Sequence, residues 1–153
     1  MPTNTVLALK KSDENQAIGR GKGGLSTKIH LMVDALGNPL AFFLTPGQAH
    51  DLEGADALLP QIKADTVLAD KAFDADERVI EPLLTAGKTP VIPPKSNRRT
   101  PRDFDKELYK ARHLIENFVC KLKQFRAIAT RYDKTARNFL AAIHLAATAI
   151  LLN

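Results

Sequence analysis

An α/β layer fold with a mixed sheet flanked by helices is predicted by three features of the sequence. These are a β-hairpin pattern over residues 27–45, short apolar runs after it that alternate with helical patterns, and two long helical patterns at the carboxyl end. The 153 residues, 44% of them apolar, suffice for one domain with a sizeable core. A single cysteine, Cys120, excludes an internal disulfide framework. The opening residues lack the charged, apolar and small-residue order of a secretory signal, so the cytoplasm is the expected location.

Residues 1–26 read as a flexible N-terminal segment, with a short apolar run at Val6–Leu9, a polar stretch, and glycines clustered from Gly19 to Gly24. Gly19, Gly21 and Gly24 meet a Gly-x-Gly-x-x-Gly spacing. They precede a strand pattern, however, whereas a dinucleotide site needs them after a strand and opening a helix. Leu25 and Ser26 stand where a phosphate-binding P-loop requires Lys and then Ser or Thr. The cluster is therefore expected to be a basic loop leading into the fold.

From Thr27 to Asp34, Ile29, Leu31 and Val33 alternate with Lys28, His30 and Met32, Ala35–Asn38 forms a turn, and Leu40–Thr45 returns as a second strand. His30 is expected as a structural residue on the second face, and Asp34 as a turn former. After Pro46-Gly47 a helix is expected over 51–59, with Asp51 as its cap, Glu53 in its first turn and Pro60 as its stop. His50 and Asp51 are adjacent and so point apart, which argues against a catalytic pair.

Thr66–Ala69 reads as a short buried strand ending in Asp70-Lys71. Carboxyl ends of strands are where open α/β sheets place ligands, which makes Asp70 a candidate; the start of a turn is the alternative. A helix is expected over 73–86, beginning near Asp74, and residues 88–94 give one more strand closed by prolines. In the following loop Lys95, Arg98, Arg99 and Arg102 have the density of a phosphate-contacting segment or of a solvated loop. On a helix through 109–123, Tyr109, Arg112, Glu116 and Lys123 share a stripe beside Leu108, Ala111, Ile115, Phe118, Val119, Leu122 and Phe125. A carboxylate flanked by cations invites a metal and phosphate site; an Arg112–Glu116 ion pair on an amphipathic helix is the plainer account. Residues 137–152 form an apolar helical pattern, shorter than the roughly 18 residues of a membrane span and interrupted by Asn138, His144 and Thr148, so a packing helix is expected.

Charge is unevenly placed. Residues 95–137 hold 13 Lys and Arg against 5 Asp and Glu, residues 1–94 hold 9 against 12, and the last 16 carry none. A basic segment on the Glu116 helix suits a polyanion, nucleic acid better than a membrane surface.

Tyr109-x2-Arg112-x3-Glu116-x6-Lys123 resembles the Tyr-Arg-Glu-Lys signature of bacterial insertion-sequence DDE transposases. Thr27–His30, Gly47–Asp51, Leu68–Lys71 and Tyr132–Phe139 are similar, in the same order, to the insertion-sequence-five type. The resemblance runs from about Ser12 to the end. It implies a ribonuclease H-like fold, a catalytic domain over 27–153, and an Asp-Asp-Glu triad binding two Mg2+ or Mn2+ ions, with Asp70 as the second Asp and Glu116 as the Glu. It further implies cleavage and strand transfer on DNA, the element ends and the target being partners, with Lys71, Arg112 and Lys123 as phosphate contacts and Tyr109 as a positioning hydroxyl.

The family's first Asp has no counterpart at a suitable distance before Gly19: Asp13 sits in a polar stretch, and Asn4 is an amide. The chain is thus expected to be a partial catalytic domain lacking the central first strand, or substituting Thr5–Leu9 for it. It would be inactive alone and joined to an upstream reading-frame product or left as a remnant. Homo-oligomerisation is a family expectation. A non-catalytic DNA-binding or inhibitory fragment is the alternative.

Overall fold

A computed structural model describes residues 16–153. Asn4, Thr5–Leu9 and Asp13, and with them the substitute-strand expectation, lie outside the described residues. In chain order the elements are β1 (Gly19–Gly21), β2 (Gly24–Val33), β3 (Pro39–Pro46), α1 (Asp51–Leu58), β4 (Thr66–Leu68), α2 (Glu81–Thr85), β5 (Thr89–Val91), α3 (Lys106–Tyr109), α4 (His113–Lys123), α5 (Arg126–Ala129) and α6 (Ala136–Leu152). This is a mixed α/β architecture with small sheets. The described residues form two compact units, one from residues 16–49 together with Glu116–Asn153, the other His50–Ile115.

In the first unit the expected hairpin is present. β2 and β3 pair antiparallel from Thr27↔Pro46 to Met32↔Ala41, with a register shift between Met32 and Val33. The alternation turns Ile29, Leu31, Phe42 and Leu44 onto a cluster built from Phe118, Leu122, Ile128, Phe139 and Ile143. Phe139, Ile143 and Ala146/Ala147 recur at helical spacing along α6, which packs as expected and is capped by Thr135, whose Oγ1 accepts the Asn138 N–H at 3.2 Å. His30 is the structural residue anticipated: it is buried, and its Nε2 shares a 2.8 Å hydrogen bond with Thr45 Oγ1. Asp34 forms the turn, its Oδ1 accepting the N–H groups of Leu36 and Asn38, each at 2.9 Å. His144 stands at the edge, exposed and edge-on to Phe42 at 5.1 Å.

The glycine cluster departs from the expected loop. Gly19–Gly21 pairs antiparallel with Gly24–Ser26, and Gly24, at φ 102°, makes the reversal that a side chain would strain. Arg131 ties this end down, donating to Gln16 O at 2.7 Å, Ala17 O at 3.2 Å and Thr27 Oγ1 while its guanidinium lies 4.8 Å from the Phe139 ring centroid.

In the second unit β4 and β5 are parallel, Thr66↔Thr89 to Leu68↔Val91. Val79, Ile80, Leu83 and Ile92 form its cluster with Leu52 and Ala55 of α1. His50, not Asp51, caps α1, its Nδ1 accepting the Leu52 N–H at 3.3 Å. The helix expected from Phe73 is shortened. Lys71–Phe73 is a 3-10 turn capped by Asp70, Asp76–Ile80 follows as a π-type turn, and only Glu81–Thr85 is α-helical. Asp74 breaks the helix because its carboxylate is used elsewhere. The helix expected over 109–123 is also interrupted, by a 3-10 turn at Lys110–Arg112 between α3 and α4.

Candidate functional site

Asp70 lies two residues after β4, where the chain leaves the sheet at its carboxyl end. Its Oδ1 accepts the Ala72 N–H at 2.7 Å, capping the 3-10 turn, and its Oδ2 lies 3.7 Å from a terminal nitrogen of Arg112. One oxygen thus serves the turn and the other faces a cation. A cleft of about 890 Å³ is lined by Asp70, Lys71, Pro93, Lys95, Tyr109 and Arg112, with Ala72, Ser96 and Asn97 completing it.

Arg112 is oriented by its neighbours. One terminal nitrogen donates to Tyr109 Oη at 3.1 Å, and the guanidinium carbon lies 5.8 Å from the Tyr109 ring centroid. Tyr109 is held in turn by Phe104, edge-on at 5.5 Å. The 3-10 turn explains the proximity of the pair, because residues three apart eclipse in that geometry. Three cations, Lys71, Lys95 and Arg112, therefore share the cleft with one carboxylate, a charge balance suited to an anionic ligand.

The remaining predicted residues are placed differently. Arg98 and Arg102 turn onto Asp74, whose side chain is 1% exposed: Oδ1 accepts from Arg98 at 2.8 Å and from Arg102 at 3.1 Å, and Oδ2 accepts the Lys95 N–H at 2.8 Å. Arg98 also donates to Asp76 at 2.5 Å, and Arg102 to Ile92 O at 3.0 Å. Burial pushes the Asp74 carboxyl up, but the Lys95 N–H, the Arg102 hydrogen bond and the two guanidinium charges outweigh it and hold the group below the usual carboxylate value. Arg99 is exposed. Glu116 and Lys123 are exposed on α4 and belong to the first unit.

In the sequence the signal for Asp74 is charge complementarity alone, an Asp74-x-Asp76 pair ahead of a loop with Arg98 and Arg102, and the density of cations in that loop points to phosphate first.

Carboxylate oxygen is a hard donor of the kind that Mg2+ and Mn2+ take. Asp70 fits one ligand of such an ion through Oδ2, the oxygen that the turn does not use; by itself it does not make a two-ion centre. Among the described residues no group of three or more His, Cys, Asp or Glu is disposed to hold a metal ion. Among the described residues, too, no helix is long and apolar enough to cross a membrane.

Residues 5–152 match the family model described as a transposase DDE domain. A Brucella ovis protein assigned as a transposase for insertion sequence element IS6501 is 40% identical over 132 residues, covering 84% of this chain and 99% of that protein. No solved structure matches.

Proposed function

The chain belongs to the DDE transposases of insertion sequences, and from that premise we propose that it carries catalytic groups for metal-dependent cleavage and strand transfer of DNA at element ends. In this proposal Asp70 and Glu116 are two of the three family carboxylates, and the catalytic portion spans residues 27–153. The observation that carries it is the cleft at the carboxyl end of β4, where Asp70 meets Lys71, Lys95, Tyr109 and Arg112. Divalent cations, when bound, supply activation of the attacking hydroxyl and stabilisation of the leaving oxygen.

The chain's own residues do the rest. Lys71 and Lys95 draw the phosphodiester into the cleft as point charges, and Arg112 offers a planar fork to its oxygens. Tyr109 Oη, accepting from Arg112, keeps that fork directed, so less side-chain freedom is lost when a phosphate docks. Glu116 and Lys123, on α4 just beyond the Arg112 turn, complete the signature as ligand and phosphate contact.

The test is excision of the element in cells, with the upstream sequence of the element intact. Asp70→Ala and Glu116→Ala are each expected to lower excision by about 100-fold or more, since loss of a ligand exceeds the 10–100-fold typical of the groups that merely support ligands. Near wild-type excision by either variant would remove that carboxylate from the proposal. Three cations against one carboxylate in the cleft favour a second reading, DNA binding without catalysis. It requires salt-sensitive binding in the absence of divalent cations, and no binding at low salt would dismiss it.

A further inference from the structure

The stretch from Pro93 to Asp105 carries Lys95, Ser96 and Asn97 into the cleft without forming a helix or a strand. The Arg98 N–H closes the turn on Lys95 O at 3.1 Å, a bond within the stretch itself, and side-chain anchors tie the stretch to the rest of its unit. Asp74 is the point where those anchors converge: one oxygen holds the Lys95 N–H and the other holds Arg98 and Arg102, so both sides of the Lys95–Asn97 bend are tied to one buried carboxylate. Arg102 passes the restraint to Ile92 O, one residue beyond β5, and Arg98 passes it to Asp76.

We propose that Asp74 is a positioning residue for the cleft: by anchoring the Lys95 backbone and the two arginines that follow, it sets where Lys95 meets a DNA phosphate. The inference rests on the cleft being a DNA site. A carboxylate is costly to bury, and packing alone would be served as well by an apolar side chain of similar volume. What an apolar residue cannot do is hold a backbone N–H and two guanidinium groups at fixed directions from one another. Asp70, four residues earlier, lies 3.7 Å from Arg112, so one carboxylate of the segment meets a cleft cation directly and the other holds the Lys95 backbone.

The test measures affinity of the full chain for a short DNA duplex, by anisotropy across a salt series, for Lys95→Ala, Asp74→Asn and the double variant. The asparagine amide must turn its NH2 either to the Lys95 N–H or to the guanidinium groups, donor against donor in both cases. Lys95→Ala is expected to weaken binding about fivefold and to flatten the slope of log K against log salt by about 0.9, one phosphate contact. Asp74→Asn should reproduce at least half of that loss in log K. The double variant should bind within about twofold of Lys95→Ala, since both changes remove one contact.

Unchanged affinity for Asp74→Asn, or a double variant whose loss is the product of the single losses, overturns the inference while leaving the cleft a DNA site. Wild-type binding by Lys95→Ala instead dismisses the cleft itself. If Asp74→Asn does not fold, Arg98→Gln serves, because it keeps the Asp74 bonds to Lys95 and Arg102. It should give a smaller loss that is again not additive with Lys95→Ala, and additivity there also overturns the inference.

Discussion

Asp70→Asn is expected to tighten DNA binding when divalent cations are absent. The amide keeps an oxygen for the Ala72 N–H, so the cap on Lys71–Phe73 survives, and the only loss is one negative charge in a cleft holding Lys71, Lys95 and Arg112. Asp70 Oδ2 lies 3.7 Å from Arg112, and a phosphate hydrogen-bonded on the other side of that guanidinium sits about 3 Å further, giving a separation of about 7 Å. With its side chain 38% exposed the carboxylate acts through a near-aqueous dielectric, so the repulsion is roughly 332/(80 × 7), or about 0.6 kcal/mol, equivalent to an affinity gain of about threefold. Arg112, released from Asp70, should also steepen the salt dependence by up to about 0.9 in log K per log salt. Anisotropy titrations with a short duplex and a chelator, between about 50 and 200 mM salt, resolve both quantities. With Mg2+ present the sign should reverse relative to wild type, because the variant has lost an oxygen ligand. Unchanged or weaker chelator-phase binding by a folded Asp70→Asn protein would refute the assignment of Asp70 to the wall that DNA meets.

Other outcomes concern the frame that carries the cleft and the hairpin. Arg131→Ala removes a guanidinium that donates to Gln16 O, Ala17 O, Thr27 Oγ1, Asp133 O at 3.0 Å and Lys134 O at 3.2 Å, and lies over Phe139; urea unfolding should show a loss of about 3 kcal/mol, and a loss below about 1 would mean that water replaces the clamp at little cost. Asp74 has a folded-state pKa below its unfolded value, so its contribution to stability is present above the unfolded pKa near 3.8 and is lost as pH falls through the folded pKa. Asp74→Asn should flatten the acid limb of a stability–pH curve below about pH 4, and an unaltered limb would count against the ion cluster. A Cβ at Gly47 would lie 1.8 Å from Ser26 Oγ, 2.9 Å from its Cβ and 3.1 Å from its carbonyl carbon, whereas one at Gly19 meets only the mobile end of Gln48. Gly47→Ala should therefore lower the melting temperature more than Gly19→Ala, at about 1–3 kcal/mol for the overpacked site, with equal shifts contradicting the geometry.

Patterns whose cause is local were legible in the sequence. The alternation of Ile29 and Leu31 needs one buried face to hold, and α6 needs only its apolar stripe, so both are found where periodicity put them. Asp34 was legible as a turn former because its partners, Leu36 and Asn38, are two and four residues away. Elements whose ends depend on distant partners were not legible. The helix expected from Phe73 has good local propensity, but Asp74 is drawn to Lys95, Arg98 and Arg102, more than 20 residues on, and three charged bonds outweigh a few tenths of a kcal/mol per residue of helical preference. The glycine cluster pairs within its own few residues, Gly19↔Ser26 to Gly21↔Gly24, but its glycines carry no apolar alternation to mark a strand. What ties its end down, Arg131 on Gln16 O and Ala17 O, comes from the far end of the chain.

The signature itself was legible for a reason that its structure amends. A continuous helix would align Tyr109, Arg112 and Glu116 by an advance of 100° per residue, and such a stripe is equally what an exposed ion-paired helix shows. The 3-10 turn at Lys110–Arg112 changes this. At three residues per turn Tyr109 and Arg112 stand one above the other, so the hydroxyl can accept from one guanidinium nitrogen while another lies 3.7 Å from Asp70. Glu116 follows on the regular helix that begins at His113 and takes its direction from α4, not from that turn. The spacing of three between Tyr and Arg and of four between Arg and Glu thus joins two helical geometries. Inserting one alanine after Lys110 would keep the apolar stripe of α4 and disrupt the Tyr109–Arg112 pair. If DNA binding depends on that pair, the insertion should cost as much affinity as Arg112→Ala; if the stripe acts only as an amphipathic surface, binding should be unaffected.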